Sequence, residues 1–151
     1  LELEITESGI IADQQHALHI IRQLKQLGVK IAIDDFGTGY SSLSTLQNFP
    51  FDKIKIDRAF IDGVTNNRQS AAIVRSTIIL AQSLDIPVLA EEVENEEHMD
   101  FLRSEGCLQV QGYLFGKPMP LSEIDNVVNN TLLLPAPSAQ PEKDADDAVA
   151  A

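Results

Sequence analysis

Short apolar runs with period-two spacing alternate along this chain with longer stretches in which apolar residues recur every three or four positions. Residues 1–5 alternate apolar and acidic side chains, the mark of a strand with two unlike faces. Ala17, Ile20, Ile21, Leu24 and Leu27 then share a stripe that predicts a helix over 13–27, stopped by Gly28. The same reading gives strands over 29–34, 54–57, 87–91 and 108–114. Between them it places a short helix over 42–48, broken by Pro50, and a long one over 68–84 with Ile73, Thr77, Leu80, Ala81 and Leu84 inward. Another helix runs from an Asn95 cap to Gly106, with Glu96 and Glu97 in its first turn as the helix dipole favours. A last helix is expected over 122–130. Residues 132–151 carry Pro135, Pro137, Pro141 and four acids against Lys143, and read as a disordered tail or linker behind an organised part over 1–131.

Regular alternation of strand and helix implies a parallel sheet with crossover helices. An open doubly wound sheet and a (β/α)8 barrel both produce it. Glu4 between Leu3 and Ile5, and Lys55 between Ile54 and Ile56, put a charge on one sheet face and apolar neighbours on the other. A barrel uses such positions well: the apolar face meets the helices, and the charge enters the lumen near its mouth. The expected fold is therefore α/β, a TIM-type barrel of which about the last five β/α units are present. With a non-methionine first residue already in a strand, the chain reads as a piece of something longer.

Charge narrows the chemistry. Eleven basic residues against 23 acidic ones give a net charge of −12, which argues against a groove for DNA or RNA polymers. The single cysteine, Cys107, excludes a disulfide framework and a multi-cysteine zinc site, and reads as a small buried residue. No apolar run is long enough to span a membrane, and a reducing cytoplasmic compartment fits best.

Glu4, the adjacent Asp34 and Asp35, and Glu91 fall at the carboxyl ends of successive expected strands, where barrel enzymes keep their chemistry. Carboxylates gathered at one mouth repel each other and suit Mg²⁺ or Mn²⁺, and an Asp-Asp pair can serve two ions in phosphodiester hydrolysis. Taken singly, each acid is better explained as capping a helix or solubilising a loop; together at successive strand ends they are not. Lys55 faces the same side: it could hold an attacking water, or form a lumen salt bridge to Asp57 or to one of the acids. Gly37 and Gly39 permit a sharply bent loop, although an ordinary tight turn explains them as well. Gln111-Gly112-Tyr113 could read a base or phosphate edge, or be a polar loop. His16, His19 and His98 are expected on helix surfaces.

Together these segments resemble the EAL-domain family of cyclic di-GMP phosphodiesterases. The resemblance rests on residues 3–8 (LEITES), 33–43 (IDDFGTGYSSL), 52–57 (DKIKID), 90–94 (AEEVE) and 111–118 (QGYLFGKP), in the family's order and spacing over about residues 1–125. It implies a TIM-like barrel, cleavage of cyclic di-GMP to linear pGpG, and two Mg²⁺ or Mn²⁺ ions. Carried over by motif, it implies metal ligation by Glu4, Asp34 and Asp35, and a role for Lys55 in positioning the attacking water. Glu91 is then a ligand or general base, and Glu94 and Gln111 line the substrate pocket. Glu7 braces the loop holding Gly37 and Gly39, which in the family leads to a dimer interface. A homodimer of the complete domain, upstream sensory or cyclase-like domains, and a parent tethered to the inner membrane are further family expectations. Two features depart from the pattern. The naming Glu-Ala-Leu motif and an upstream metal-binding Asn are absent, so this stretch alone is expected to be inactive. Glu92 stands where the family usually has glycine, which keeps open a second reading, a catalytically degenerate cyclic di-GMP receptor or protein-interaction module. An unrelated carboxylate-and-lysine barrel lyase is the third.

Overall fold

A computed structural model describes residues 1–11, 13–37 and 43–124. The chain divides into a compact unit, Leu1–Lys117, and a second unit from Pro118 onward. In the first unit the elements run β1 (Glu2–Thr6), α1 (Glu7–Ile11), α2 (Gln14–Gln26), β2 (Lys30–Phe36), α3 (Leu43–Asn48) and β3 (Lys53–Ile56). They continue with α4 (Arg58–Ile61), α5 (Arg68–Ser83), β4 (Val88–Ala90), α6 (Glu96–Ser104) and β5 (Gln109–Val110). All strand pairs are parallel, and the sheet order is β1-β2-β3-β4-β5. That order decides between the two architectures. A doubly wound sheet reverses direction at a switch point, whereas here each strand pairs with the next in sequence, as in a barrel wall.

Local chemistry sets the element ends. The Asp13, Asn67 and Asn95 side chains accept from the backbone N–H groups of His16 (3.0 Å), Gln69 (2.9 Å) and His98 (2.8 Å), capping α2, α5 and α6. Gly28 (φ +79°) and Gly106 (φ +80°) supply the left-handed residues that follow α2 and α6. On one sheet face Ile31, Ile33, Ile54, Ile56, Val88 and Ala90 are buried against Ile21, Ile61, Val74, Ile78 and Leu102 from the helices. Each such isoleucine or leucine stabilises the fold by about 2 kcal/mol. The opposite face carries Glu2, Glu4, Lys53 and Lys55.

Several expectations need correction. Ile20, Leu27 and Ile73 are exposed. The buried stripe of α2 is narrow, and only Ile21 is fully enclosed, with Ala17 and Leu24 at its margin. Leu27 is the C-cap of that helix, beyond its last full turn. The helical turns α1 and α4 are too short to show a period. The last strand is two residues, not seven, because residues 112–115 leave the ladder in a turn closed by Phe115 N–H donating to Gly112 C=O (3.1 Å). His98 is buried, not on the surface. Residues 121–124 are helical. The remainder of the expected last helix, and the boundary between 131 and 132, lie outside the described residues.

Candidate active site

Parallel pairing brings the carboxyl ends of the strands level, and the period-two alternation of β1 and β3 aims Glu4 and Lys55 to the same face. Between those strands β2 is irregular. Ile33 pairs with Ile54 and Phe36 with Ile56, so Asp34 and Asp35 together stand opposite Lys55. This is a bulge, in which one extra residue re-aims its neighbours. Asp35 takes a left-handed conformation (φ +55°), and its N–H donates to Asp34 Oδ1 (3.1 Å).

Period-two alternation along parallel strands brings three carboxylates onto one ammonium. Lys55 Nζ lies 2.8 Å from Glu4 Oε1, 3.0 Å from Glu91 Oε1 and 3.3 Å from Asp34 Oδ1. The lysine side chain is only 6% exposed, against 50% for Glu4 and just over 20% for Asp34 and Glu91. Burial disfavours the lysine's charge. Its hydrogen bonds to Glu4, Glu91 and Asp34 and the charge of Glu91 outweigh that, and hold its pKa above the ordinary lysine value. Burial raises the Glu91 pKa, and the charges of Asp34 and Glu4 add to it, with Lys55 opposing. Burial also raises that of Asp35, helped by Asp34 and by a hydrogen bond with Asp57. Lys55 is thus paired with the carboxylate cluster. The Asp57 side chain instead caps α4, accepting from Ala59 N–H (2.8 Å).

The carboxylates supply only oxygen donors, the kind that hard divalent cations take. Three of them face a single ammonium, which leaves an excess of negative charge for a cation to neutralise. Among the described residues no three Asp, Glu, His or Cys side chains form a ready-made cage; the ammonium stands where the acids converge. The donor set thus fits Mg²⁺ or Mn²⁺ in chemistry.

The remaining expected residues sit around this cluster. Glu7 is 1% exposed, and its Oε2 accepts from Gly37 N–H (3.1 Å), Gly37 having φ +96°. Its Oε1 has no partner among the described residues. Gly39 lies outside them. Gln111 is exposed, and its backbone does the connecting: Gln111 N–H donates to Ala90 C=O (2.9 Å), and Val93 N–H donates to Gln111 C=O (2.9 Å). Glu94 Oε1 lies 3.4 Å from Arg58 Nη2.

Two residues escaped the sequence reading. Gly112 packs so tightly that a Cβ there would come 2.1 Å from Val93 O and 2.2 Å from Val93 N. It was legible only as part of Gln111-Gly112-Tyr113. Arg58 contacts Asp62 (3.0 Å), Glu92 (2.6 Å) and Glu94 (3.4 Å). Nothing local in the sequence pairs residue 58 with residue 92. Glu92 has φ +53°, a left-handed conformation that costs a non-glycine residue about 1–2 kcal/mol.

Comparison with known proteins matches this arrangement to one family. The EAL domain profile matches residues 1–118. Cyclic di-GMP phosphodiesterase NbdA of Pseudomonas aeruginosa is 42% identical over 125 residues, 83% of this chain and 16% of that protein. Among solved structures, the PaMucR phosphodiesterase in its c-di-GMP complex is 44% identical with a TM-score of 0.78, over 82% of this chain and 50% of that one. A manganese/cy-diGMP complex of Klebsiella pneumoniae BlrP1 is 38% identical with a TM-score of 0.72, over 78% of this chain and 30% of that one. The chain thus spans half or less of the length of each of these relatives. With the strand order, the carboxylate cluster and a profile match over most of its length, it belongs to the EAL domain family, as five consecutive strands of a TIM-like barrel.

Proposed function

We propose that the protein built around this chain hydrolyses cyclic di-GMP to linear pGpG with two Mg²⁺ or Mn²⁺ ions, in bacterial second-messenger signalling. The observation that carries this is the convergence of Glu4, Asp34 and Glu91 on Lys55 at one end of the sheet. The relatives described as phosphodiesterases, and the solved complexes with c-di-GMP and manganese, support it.

In this reading Glu4, Asp34, Asp35 and Glu91 would hold the ions. Bound there, the cations would neutralise the acids and activate a water at neutral pH. Lys55 donates to the attacking water and sets positive charge beside the phosphate as negative charge grows on it. Glu91, which lies 3.0 Å from Lys55, is a ligand or general base. Glu94 and Gln111 line the substrate pocket, and Glu7 fixes the turn at Gly37, ahead of Gly39. The isolated chain, with five strands, does not turn over substrate at a useful rate. The complete domain works as a homodimer joined to sensory or cyclase-like domains. No helix among the described residues is long and apolar enough to cross a membrane. A cytoplasmic site of action, with the parent tethered to the inner membrane or free, completes the proposal, as does a linker or tail role for 132–151.

The strained Glu92 beside Glu91 favours one second reading, a receptor that binds the nucleotide without cleaving it. Incubating the barrel-complete protein with cyclic di-GMP and Mn²⁺ separates the two. Release of pGpG that stops on chelation supports the enzyme. Tight nucleotide binding with no pGpG supports the receptor, and no affinity for cyclic dinucleotides contradicts both.

A further inference from the structure

Glu92 adopts φ +53° with a full side chain, one residue after Glu91. Its carboxylate Oε2 lies 2.6 Å from Arg58 Nη1. The other guanidinium nitrogens are also engaged: Nε contacts Asp62 Oδ2 (3.0 Å), and Nη2 contacts Glu94 Oε1 (3.4 Å). Arg58 opens α4, three residues after Lys55, and the segment 91–94 leaves β4. The guanidinium fork therefore ties the end of β3 to the loop that carries Glu91. On its other side that loop is tied to the end of β5, by Val93 N–H donating to Gln111 C=O (2.9 Å) and Leu114 N–H donating to Val93 C=O (3.0 Å).

We infer that Arg58 is a positioning residue for Glu91, acting through its ion pair with Glu92. Where glycine would adopt the left-handed turn without strain, a glutamate needs an outside contact to hold it. Here the same side chain that creates the strain supplies the group that Arg58 grips. Two planar N–H groups, aimed at Glu92 and Glu94, restrict the loop in a way a point charge could not. The predicted consequence is conditional: Arg58 matters while residue 92 is glutamate, and ceases to matter when the turn relaxes by itself.

This inference rests on the phosphodiesterase reading for its kinetic test, and a second readout is independent of it. In the barrel-complete protein, Arg58→Gln should lower kcat/KM by about tenfold. It should also raise the Mn²⁺ concentration for half-maximal activity, because Glu91 is displaced. In the Glu92→Gly background the same Arg58→Gln change should cost less than twofold in both quantities. Arg58→Lys, which keeps the charge but loses the fork, should fall between the two. An equal cost of Arg58→Gln in both backgrounds would overturn the proposal, since Arg58 would then act through Glu94 or not on this loop. If the parent protein releases no pGpG at all, the phosphodiesterase reading fails and the clamp is judged by thermal unfolding. Arg58→Gln should lower Tm more with Glu92 present than in the Glu92→Gly background, where only the Asp62 and Glu94 contacts are lost; equal shifts in both would sink it.

Discussion

Lys55 Nζ and Glu91 Oε1 lie 3.0 Å apart, on one strand and just past the end of its neighbour. Each answers a problem the other creates. A buried ammonium needs anions, and a carboxylate whose pKa is raised by burial and by Asp34 and Glu4 needs a cation. The pair is therefore the hinge of the cluster, and removing either member should be felt by all four groups.

Lys55→Met keeps the bulk and removes the charge. Glu4, Asp34 and Glu91 then face one another with no ammonium between them, and the proposed donor to the attacking water is gone. In the barrel-complete protein kcat should fall by at least about a hundredfold at saturating Mn²⁺. Steady-state hydrolysis measures it; a loss under threefold would mean that Lys55 is only a structural counter-ion.

How much of this was legible in the sequence depends on range. Glu4 and Lys55 declare their face through period-two spacing, because each sits between apolar residues. Asp34 follows the same period, alternating with Ile31 and Ile33, whereas a strict period would send Asp35 to the core face; the bulge brings both opposite Lys55. The barrel-like order followed from strand-helix alternation together with those inward charges, and the strand ladder fixed it. The Arg58–Glu92 contact spans 34 residues and leaves no local trace. The length of β5 was missed because residues 112–115 leave the ladder in a turn closed by Phe115 N–H donating to Gly112 C=O.

Glu7→Ala tests the support of the Gly37 turn. It removes the acceptor of the Gly37 N–H and empties a site that is 1% exposed. The expected loss of stability is about 1–3 kcal/mol, since a part-buried donor loses its partner and a space is left behind. Hydrogen exchange at the Gly37 amide should accelerate more than exchange in α5. Unchanged Gly37 protection would contradict the bracing role.

Gly112→Ala tests the close approach at Val93. A Cβ at 2.1 Å from Val93 O and 2.2 Å from Val93 N meets backbone, which cannot swing aside as a side-chain tip can. The loop from Glu91 to Glu94 must shift, at a cost of about 1–3 kcal/mol. Urea unfolding should show this loss, with reduced pGpG release at temperatures where the variant stays folded. A variant with parental stability would show that the loop has slack.

Acid stability should track Asp52, at the opposite end of the strands. Its carboxylate lies 2.5 Å from Lys25 Nζ and accepts from Ile31 N–H (2.8 Å). Burial raises its pKa, but these hydrogen bonds with the Lys25 charge outweigh burial and hold it below the ordinary 3.8. A carboxylate depressed in the folded state binds fewer protons there than when unfolded. Its contribution is thus fully present above pH 3.8 and is lost as pH falls through the lower, folded value. Asp52→Asn should lower Tm at pH 7 and flatten the fall of Tm below pH 3.8 relative to the parent. Parallel acid limbs for the two proteins would contradict this assignment.

The acids around Lys55 are proposed to form a two-ion centre. Electron paramagnetic resonance of the barrel-complete protein titrated with Mn²⁺ tests it most directly, because two ions about 4 Å apart couple magnetically whether or not turnover occurs. Two ions per domain with an exchange-coupled spectrum are expected, with collapse of that coupling in Asp34→Ala. A single uncoupled ion in the parent, or an unchanged spectrum in Asp34→Ala, would contradict it.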